Sequence, residues 1–253
     1  HWRPDPTVGL EWGRPGPGLP ARALQPQTRL GATLTVADGA GVAGGDRATF
    51  VRASLRGELR LGDVGLALDL PYYDADVGED PRHRSELGDI RLGARWVALE
   101  RGGFALAPAL RLTFPSGGFA RARRDMLIEP AALLQYRLGE RLTFSSGQAL
   151  VVGAKLTADD GAAVATELFY SASYSAAWQV LRALQLLGEL TTVIGLRGIA
   201  GRGDDARAVA LAAAARLTLG RVRLSLSGGA GLNSDARELL GRYAFGVLVE
   251  LGL

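Results

Sequence analysis

The stretch YAFGVLVELGL at residues 243–253 alternates large apolar side chains with small or polar ones. Successive side chains of a β-strand point to opposite faces, so this period of two predicts a strand with one apolar face. In a soluble sandwich that face would be buried in a core. In a transmembrane barrel it would contact lipid, and the other face would line the lumen. This stretch alone is compatible with both folds.

Segments earlier in the chain show the same alternation and carry charged residues on the face opposite the apolar one. Residues 49–59, for example, have Arg52, Arg56 and Glu58 on that polar face. Several runs reach the length of about 9 to 11 residues that crosses a bilayer at the usual tilt, whereas ordinary strands average about 5 or 6. With 243–253 we predict twelve strands, the others being 28–37, 49–59, 64–70, 90–96, 103–114, 126–138, 141–152, 166–179, 183–196, 206–219 and 221–231.

The connections between these runs alternate in length. Long polar segments lie at 38–47, 71–86, 115–125, 153–165, 197–207 and 231–240, and tight turns lie at Leu61-Gly62, Arg101-Gly102, Gly139-Glu140, Leu181-Arg182 and Gly220. Outer-membrane barrels have short periplasmic turns, longer external loops and an even number of strands. We therefore predict an all-β, transmembrane, antiparallel up-and-down barrel of about twelve strands over residues 28–253, in the bacterial outer membrane, with both termini in the periplasm.

Composition narrows the alternatives. A stretch of 18 apolar residues is absent, so no segment is a candidate spanning helix. A soluble α+β or all-β fold is the competing interpretation, because Ala- and Leu-rich segments such as 178–190 and 208–216 have helical propensity. The absence of cysteine excludes disulfides and thiolate sites. The 29 basic residues are interspersed with 26 acidic ones, which argues against nucleic acid as a partner.

Residues 1–27 are rich in Pro and Gly, which disfavours regular structure. We predict a periplasmic extension that hangs free, folds into the lumen as a plug, or docks an envelope protein partner. The start at His1 without Met favours a leader that has been removed.

Three short pieces carry a family resemblance: LPY at 70–72, ELGDIRLGARW at 86–96 and LRLTFPSG at 110–117. They resemble outer-membrane barrels grouped as the family of the MetA pathway of phenol degradation, which carry a similar Gly-Asp strand start and Pro-Ser/Thr-Gly strand end. The resemblance implies an outer-membrane channel for passive diffusion of small solutes, hydrophobic or aromatic compounds among them. Gly88-Asp89 would lie where a loop enters a strand, and Pro115 and Gly117 would end one.

The polar faces of the predicted strands supply candidate pore-lining residues of both charges. One interpretation is a polar pathway that selects solutes by field and width. The other is a packed network of ion pairs that fills a narrow barrel, since a buried charge needs a partner. The candidates are Arg52, Arg56, Glu58, Asp69, Asp89, Arg91, Arg95, Arg111, Glu129, Arg137, Glu167, Glu189, Arg223 and Glu250.

Few residues offer other chemistry. His83 and Ser85 resemble, by their spacing on a barrel rim, the outer-membrane phospholipase A family, but its orienting Asn could come only from Asn233 in another loop. His1 could chelate copper through its amine and imidazole, and Asp159-Asp160 and Asp204-Asp205 could bind calcium but match turns better. We predict no catalytic residue, metal or cofactor. A non-conducting anchor or complex subunit, surrounded by lipid, is the alternative function.

Overall fold

The alternating runs form long antiparallel strands. The structure is a computed structural model that describes residues 24–41, 47–77, 84–114, 125–155, 167–197, 207–240 and 242–253. In chain order its elements are β1 (Arg29–Gly41), β2 (Arg47–Leu61), β3 (Val64–Val77), β4 (Arg84–Leu87), β5 (Ile90–Trp96), β6 (Leu99–Arg101), β7 (Phe104–Phe114), β8 (Asp125–Leu138), β9 (Leu142–Lys155), β10 (Glu167–Gln179), β11 (Leu184–Arg197), β12 (Arg207–Leu219), β13 (Val222–Gly231), α1 (Ser234–Leu240) and β14 (Tyr243–Gly252).

These strands close into a twelve-stranded barrel. β1 pairs with β2 on one side and with β14 on the other, so the sheet has no free edge there. The short strands β4, β5 and β6 follow one another along a single position in the wall, because β3 pairs with β4 and β5, and β7 pairs with β5 and β6. The predicted fold and strand number are confirmed. A closed sheet satisfies its backbone groups internally, as a lipid environment requires.

The tight turns lie where the sequence predicts them. Gly62 and Gly220 have φ angles of 64° and 60°, a left-handed conformation that a residue without Cβ adopts at no steric cost. The backbone N–H of Leu253 donates to the Thr28 carbonyl at 3.1 Å, so both described ends lie at the short-turn end of the barrel. In outer-membrane barrels this is the periplasmic end.

The strands extend further than predicted into several of the long loops, and two of these loops differ most from the prediction. β3 continues to Val77 and pairs with β4, so strand structure extends into the predicted loop 71–86. The predicted loop 231–240 contains α1. Its N-terminus is capped by Asn233, whose side-chain oxygen accepts a 2.9 Å hydrogen bond from the Ala236 N–H. The Ala- and Leu-rich segments 178–190 and 208–216 contribute to strands, because pairing with neighbours overrides helical propensity.

The outer face of the barrel is apolar and exposed. Leu55 and Phe245 are 65% and 66% exposed, and Leu or Val occupies most of the other outward positions. Trp96, Tyr136 and Trp178 lie exposed near the short-turn ends of their strands, as an interfacial aromatic girdle requires. An apolar band of this extent is covered by lipid in a membrane. We therefore place the chain in the bacterial outer membrane. Among the described residues no helix has the length and apolarity to span a bilayer.

Candidate pore interior

The predicted pore-lining residues lie on the barrel wall opposite the apolar band. Glu129, Arg91 and Arg111 are the most buried of them, at 1%, 3% and 4% exposure. The remainder whose side chains the structure describes are buried or half-buried: Arg52, Arg56, Glu58, Asp69, Asp89, Arg95, Arg137, Glu189, Arg223 and Glu250. Glu167 pairs with Gly153 in the sheet, but its side chain lies outside the described part.

One cluster gathers three arginines around a single carboxylate, Asp69. Arg52 donates to Asp69 Oδ2 at 2.8 Å, and Arg91 approaches the same oxygen at 3.4 Å. Arg56 lies 3.5 Å from Asp69 Oδ1. The Asp69 carboxylate is thus shared by three arginines, each of which also has other interactions.

The next pair along the wall joins Arg111 of β7 to Glu129 of β8. The two residues are directly opposite in the antiparallel register, and their side chains form a hydrogen-bonded ion pair. Both are almost completely buried, so each charge compensates the other at close range.

A second charge cluster lies nearer the short-turn end. Arg29 contacts Glu58 at 2.7 Å and Glu250 at 3.0 Å, and Arg95 forms a second ion pair with Glu58. Arg216, which is 1% exposed, donates to Gln185 at 2.5 Å. This cluster therefore links β1, β2, β5 and β14 through charges that share partners.

The segment that precedes β1 lies inside the barrel. Leu24 is buried against Ala105 and Leu133 on the inner faces of β7 and β8. The Gln27 N–H donates to Glu58 at 3.3 Å, and the Gln27 side chain accepts from Arg223 at 2.9 Å. These residues narrow the lumen at its short-turn end.

The buried side chains of the inner face differ around the barrel: some strands carry charged residues, and others carry Ser and Thr. We call the inner faces of β2, β3, β5, β7 and β8 the charged wall, because they carry the Asp69 cluster and the Arg111–Glu129 pair. We call the inner faces of β9, β10 and β11 the hydroxyl wall; its buried hydroxyl side chains are Thr143, Ser171, Ser173, Ser175 and Thr191. On this wall Glu189 accepts a 3.0 Å hydrogen bond from Thr191.

At the long-loop end an apolar cluster covers part of the interior. Leu127, Val151, Phe169, Val193 and Ala208 pack with Ala236 of α1. Asn233 fixes the helix to β12, because its side-chain amide donates to the Arg207 carbonyl at 2.5 Å and accepts from the Val209 N–H at 3.2 Å. This Asn therefore has a structural role that the sequence did not suggest.

Sequence reasoning missed several inner residues, namely Arg29, Gln135, Gln185, Arg216 and the hydroxyl wall. The alternation that identified the charged candidates also places these on the inner face, since Arg216 shares parity with Ala208 and Ala212. The signal was therefore available, but the Ala-rich composition of the strand obscured it.

The other predicted chemistry stays untested. His1, His83 and the Asp159-Asp160 and Asp204-Asp205 pairs lie outside the described residues. Ser85 pairs with Asp74 in the sheet, and its side chain is not described. In the described ranges no group of three or more His, Asp or Glu side chains is arranged to hold a metal ion.

Solved structures that share this fold include outer-membrane channels. The COG4313 outer membrane channel from Pseudomonas putida F1 matches with a TM-score of 0.71 at 17% identity, over 90% of this chain and 96% of the other. The NanC porin matches with a TM-score of 0.62 at 9% identity, over 88% and 100%. The KdgM porin matches with a TM-score of 0.60 at 11% identity, over 89% and 99%.

The fold is thus that of the outer-membrane β-barrels, a class that includes channels and porins. No family model matches the chain, and no curated protein matches it. Membership of the family that the sequence resembles therefore stays a prediction.

Proposed function

We propose that this protein is an outer-membrane channel for the passive diffusion of small solutes. The observation that carries the proposal is the pairing of an apolar outer band with a charged inner face in one closed barrel. Buried charge on the inside of a membrane barrel is costly to maintain, and it commonly marks a path for ions or polar solutes.

We propose further that the channel prefers anions. Among the side chains that the structure describes as buried or half-buried on the barrel wall, nine arginines face six carboxylates. Such an excess attracts anions into a narrow, low-dielectric space and repels cations. The arginines are Arg29, Arg52, Arg56, Arg91, Arg95, Arg111, Arg137, Arg216 and Arg223, and the carboxylates are Glu58, Asp69, Asp89, Glu129, Glu189 and Glu250.

This interior bears on the solute class. The resemblance to the family of the MetA pathway of phenol degradation supports hydrophobic or aromatic solutes, and the arginine excess supports those that carry an anionic group. The KdgM porin, which shares the fold, has been solved in complex with disordered oligogalacturonate. We propose that small organic anions pass through this barrel, with the fourteen predicted wall residues, Glu167 included, lining their path.

We propose that residues 1–27 form an extension distinct from the barrel of residues 28–253. The burial of Leu24 among inner-face residues favours a plug over a tail that docks an envelope partner. Deleting residues 1–26 should therefore raise the conductance severalfold. An unchanged conductance, together with the loss of a co-purifying envelope protein, would favour the docking role instead.

Single-channel recording in a planar lipid bilayer tests the channel itself. We expect steady, ohmic current steps from protein whose folding is shown by heat-modifiable gel mobility. Folded protein that inserts and stays silent would contradict the proposal. It would favour a barrel whose ion pairs serve only to fill the lumen.

A further inference from the structure

Exposure differs strongly around the inner face. On β10 and β11 each inward side chain from Phe169 to Ala177 and from Gln185 to Gly195 is buried. We call the inner faces of β12, β13, β14 and β1 the open wall. Most of its small inward residues are half-buried, as Thr33, Thr35, Ala212, Ala214, Ser227 and Gly246 are. Solvent therefore reaches the open wall more than the hydroxyl wall.

Side-chain size explains the difference only for β11, whose inward residues include Gln185, Leu187 and Glu189, because β10 also carries short Ser and Ala side chains. The inward positions of the open wall carry Gly, Ala, Ser or Thr over long stretches of each strand, and short side chains leave space beside the backbone. The segment before β1 crosses the short-turn end of the lumen, from Leu24 against β7 and β8 to Gln27, which contacts Arg223 of the open wall. Between Gln27 at the short-turn end and α1 at the long-loop end, the open wall therefore presents short side chains that solvent reaches.

Arg56 of β2 borders this part of the open wall. The charged residues of the open wall itself lie near its short-turn end and contact partners there: Arg29 with Glu250, Arg216 with Gln185 and Arg223 with Gln27. Of the three arginines around Asp69, Arg56 keeps 30% of its side chain exposed, against 6% for Arg52 and 3% for Arg91. In the sheet Arg56 lies opposite Gly31 of β1, which has no side chain of its own, and the Glu250 side chain of β14 packs over Gly31. A charge that remains partly exposed inside a narrow lumen acts on passing ions more strongly than a buried one.

We propose that solutes pass along the open wall and that Arg56 is the residue that gives this path its preference for anions. The inference rests on the proposed channel function and specifies the route and the selecting side chain. The buried ion pairs of the charged wall, such as Arg111–Glu129, then line the far side of the same path and hold the barrel together there.

Cysteine substitution locates the path, because the chain contains no cysteine of its own. Thr35→Cys and Ala212→Cys report on the open wall, and Ala149→Cys and Ser173→Cys are matched changes on the hydroxyl wall. A charged methanethiosulfonate reagent applied during recording should at least halve the current of the first two variants and leave the others nearly unchanged. Block from the hydroxyl wall alone would overturn the route, as would the absence of block at all four positions.

Arginine substitutions test the selecting residue by the ratio of chloride to potassium permeability. Arg56→Gln should lower this ratio by about twofold or more, and Arg91→Gln should lower it less. Arg221→Gln, at an exposed turn outside the lumen, removes the same charge and should leave the ratio unchanged. A larger effect from Arg91→Gln, or none from Arg56→Gln, would refute the assignment while leaving a conducting wild type, and hence the channel function, intact. A wild-type protein that folds but does not conduct would refute the selecting role of Arg56 and the channel function together.

Discussion

The charged wall and the hydroxyl wall share one alternating sequence pattern but bury different chemistry. On the charged wall Arg52, Arg91 and Arg111 are desolvated, and each has a carboxylate within hydrogen-bond or ion-pair distance. On the hydroxyl wall short neutral side chains such as Ser173 and Thr143 occupy equally buried positions. Because a buried charge needs its partner and a buried hydroxyl much less so, the two walls should differ sharply in tolerance to substitution.

The largest expected effect is the loss of one member of the Arg111–Glu129 pair. Arg111→Leu leaves the Glu129 carboxylate buried beside an apolar side chain, which should cost about 3–5 kcal/mol of unfolding free energy. This loss of unfolding free energy is measured by urea unfolding in lipid vesicles, followed by tryptophan fluorescence. The double change Arg111→Leu with Glu129→Leu is the control and should recover most of the loss. A single variant as stable as the double one would show that the pair is not the critical feature of this wall.

The second-largest effect is expected when the balance of charges in the Asp69 cluster is changed. Asp69→Asn keeps the side-chain shape but removes the carboxylate that faces Arg52, Arg56 and Arg91. We expect a higher ratio of chloride to potassium permeability and a loss of about 1–3 kcal/mol in stability. Reversal potentials and urea unfolding measure the two. A lower permeability ratio would mean that this cluster does not act on the conducted ions.

A smaller effect is expected where α1 meets the long-loop end of the open wall, on β12, β13 and β1. Asn233→Ala removes the cap of the helix and both contacts to β12, at a cost of about 1–2 kcal/mol. Hydrogen exchange of the α1 amides should accelerate while the exchange of β9 and β10 stays the same. Acceleration spread through the whole barrel would contradict a local role for the helix.

The smallest effect is expected on the hydroxyl wall itself. The Ser173 hydroxyl is buried without a hydrogen-bond partner among the described residues, so Ser173→Ala removes an unsatisfied polar group. The change should alter the unfolding free energy by less than about 1 kcal/mol, in the stabilising direction if at all. A loss as large as that of Arg111→Leu would remove the contrast between the two walls.

Much of this architecture could be predicted from period and turn chemistry. The twelve strands follow from the period of two, and turns such as Gly62 and Gly220 follow from the need for a left-handed residue. Parity also placed Arg91 and Arg111 on the inner face. These features are local, because each depends on a strand and its immediate turn.

Features that depend on distant neighbours could not be predicted. The position of Leu24 inside the barrel requires the inner faces of β7 and β8, which are remote in sequence. The burial of Arg216 depends on Gln185 across the sheet, and α1 depends on the Asn233 contacts to β12. Exposure along the open wall depends on the packing of the whole lumen. The composition of the strands therefore predicted a charged interior but not the side of the barrel on which it is open.

The reversal potential of the wild-type protein in a KCl gradient tests the central claim most directly. An anion-preferring channel should give a potential displaced toward the chloride equilibrium value, because arginines outnumber carboxylates on the described inner wall. A potential near zero or displaced toward the potassium value would contradict the assignment of these inner-face charges to the conducting path.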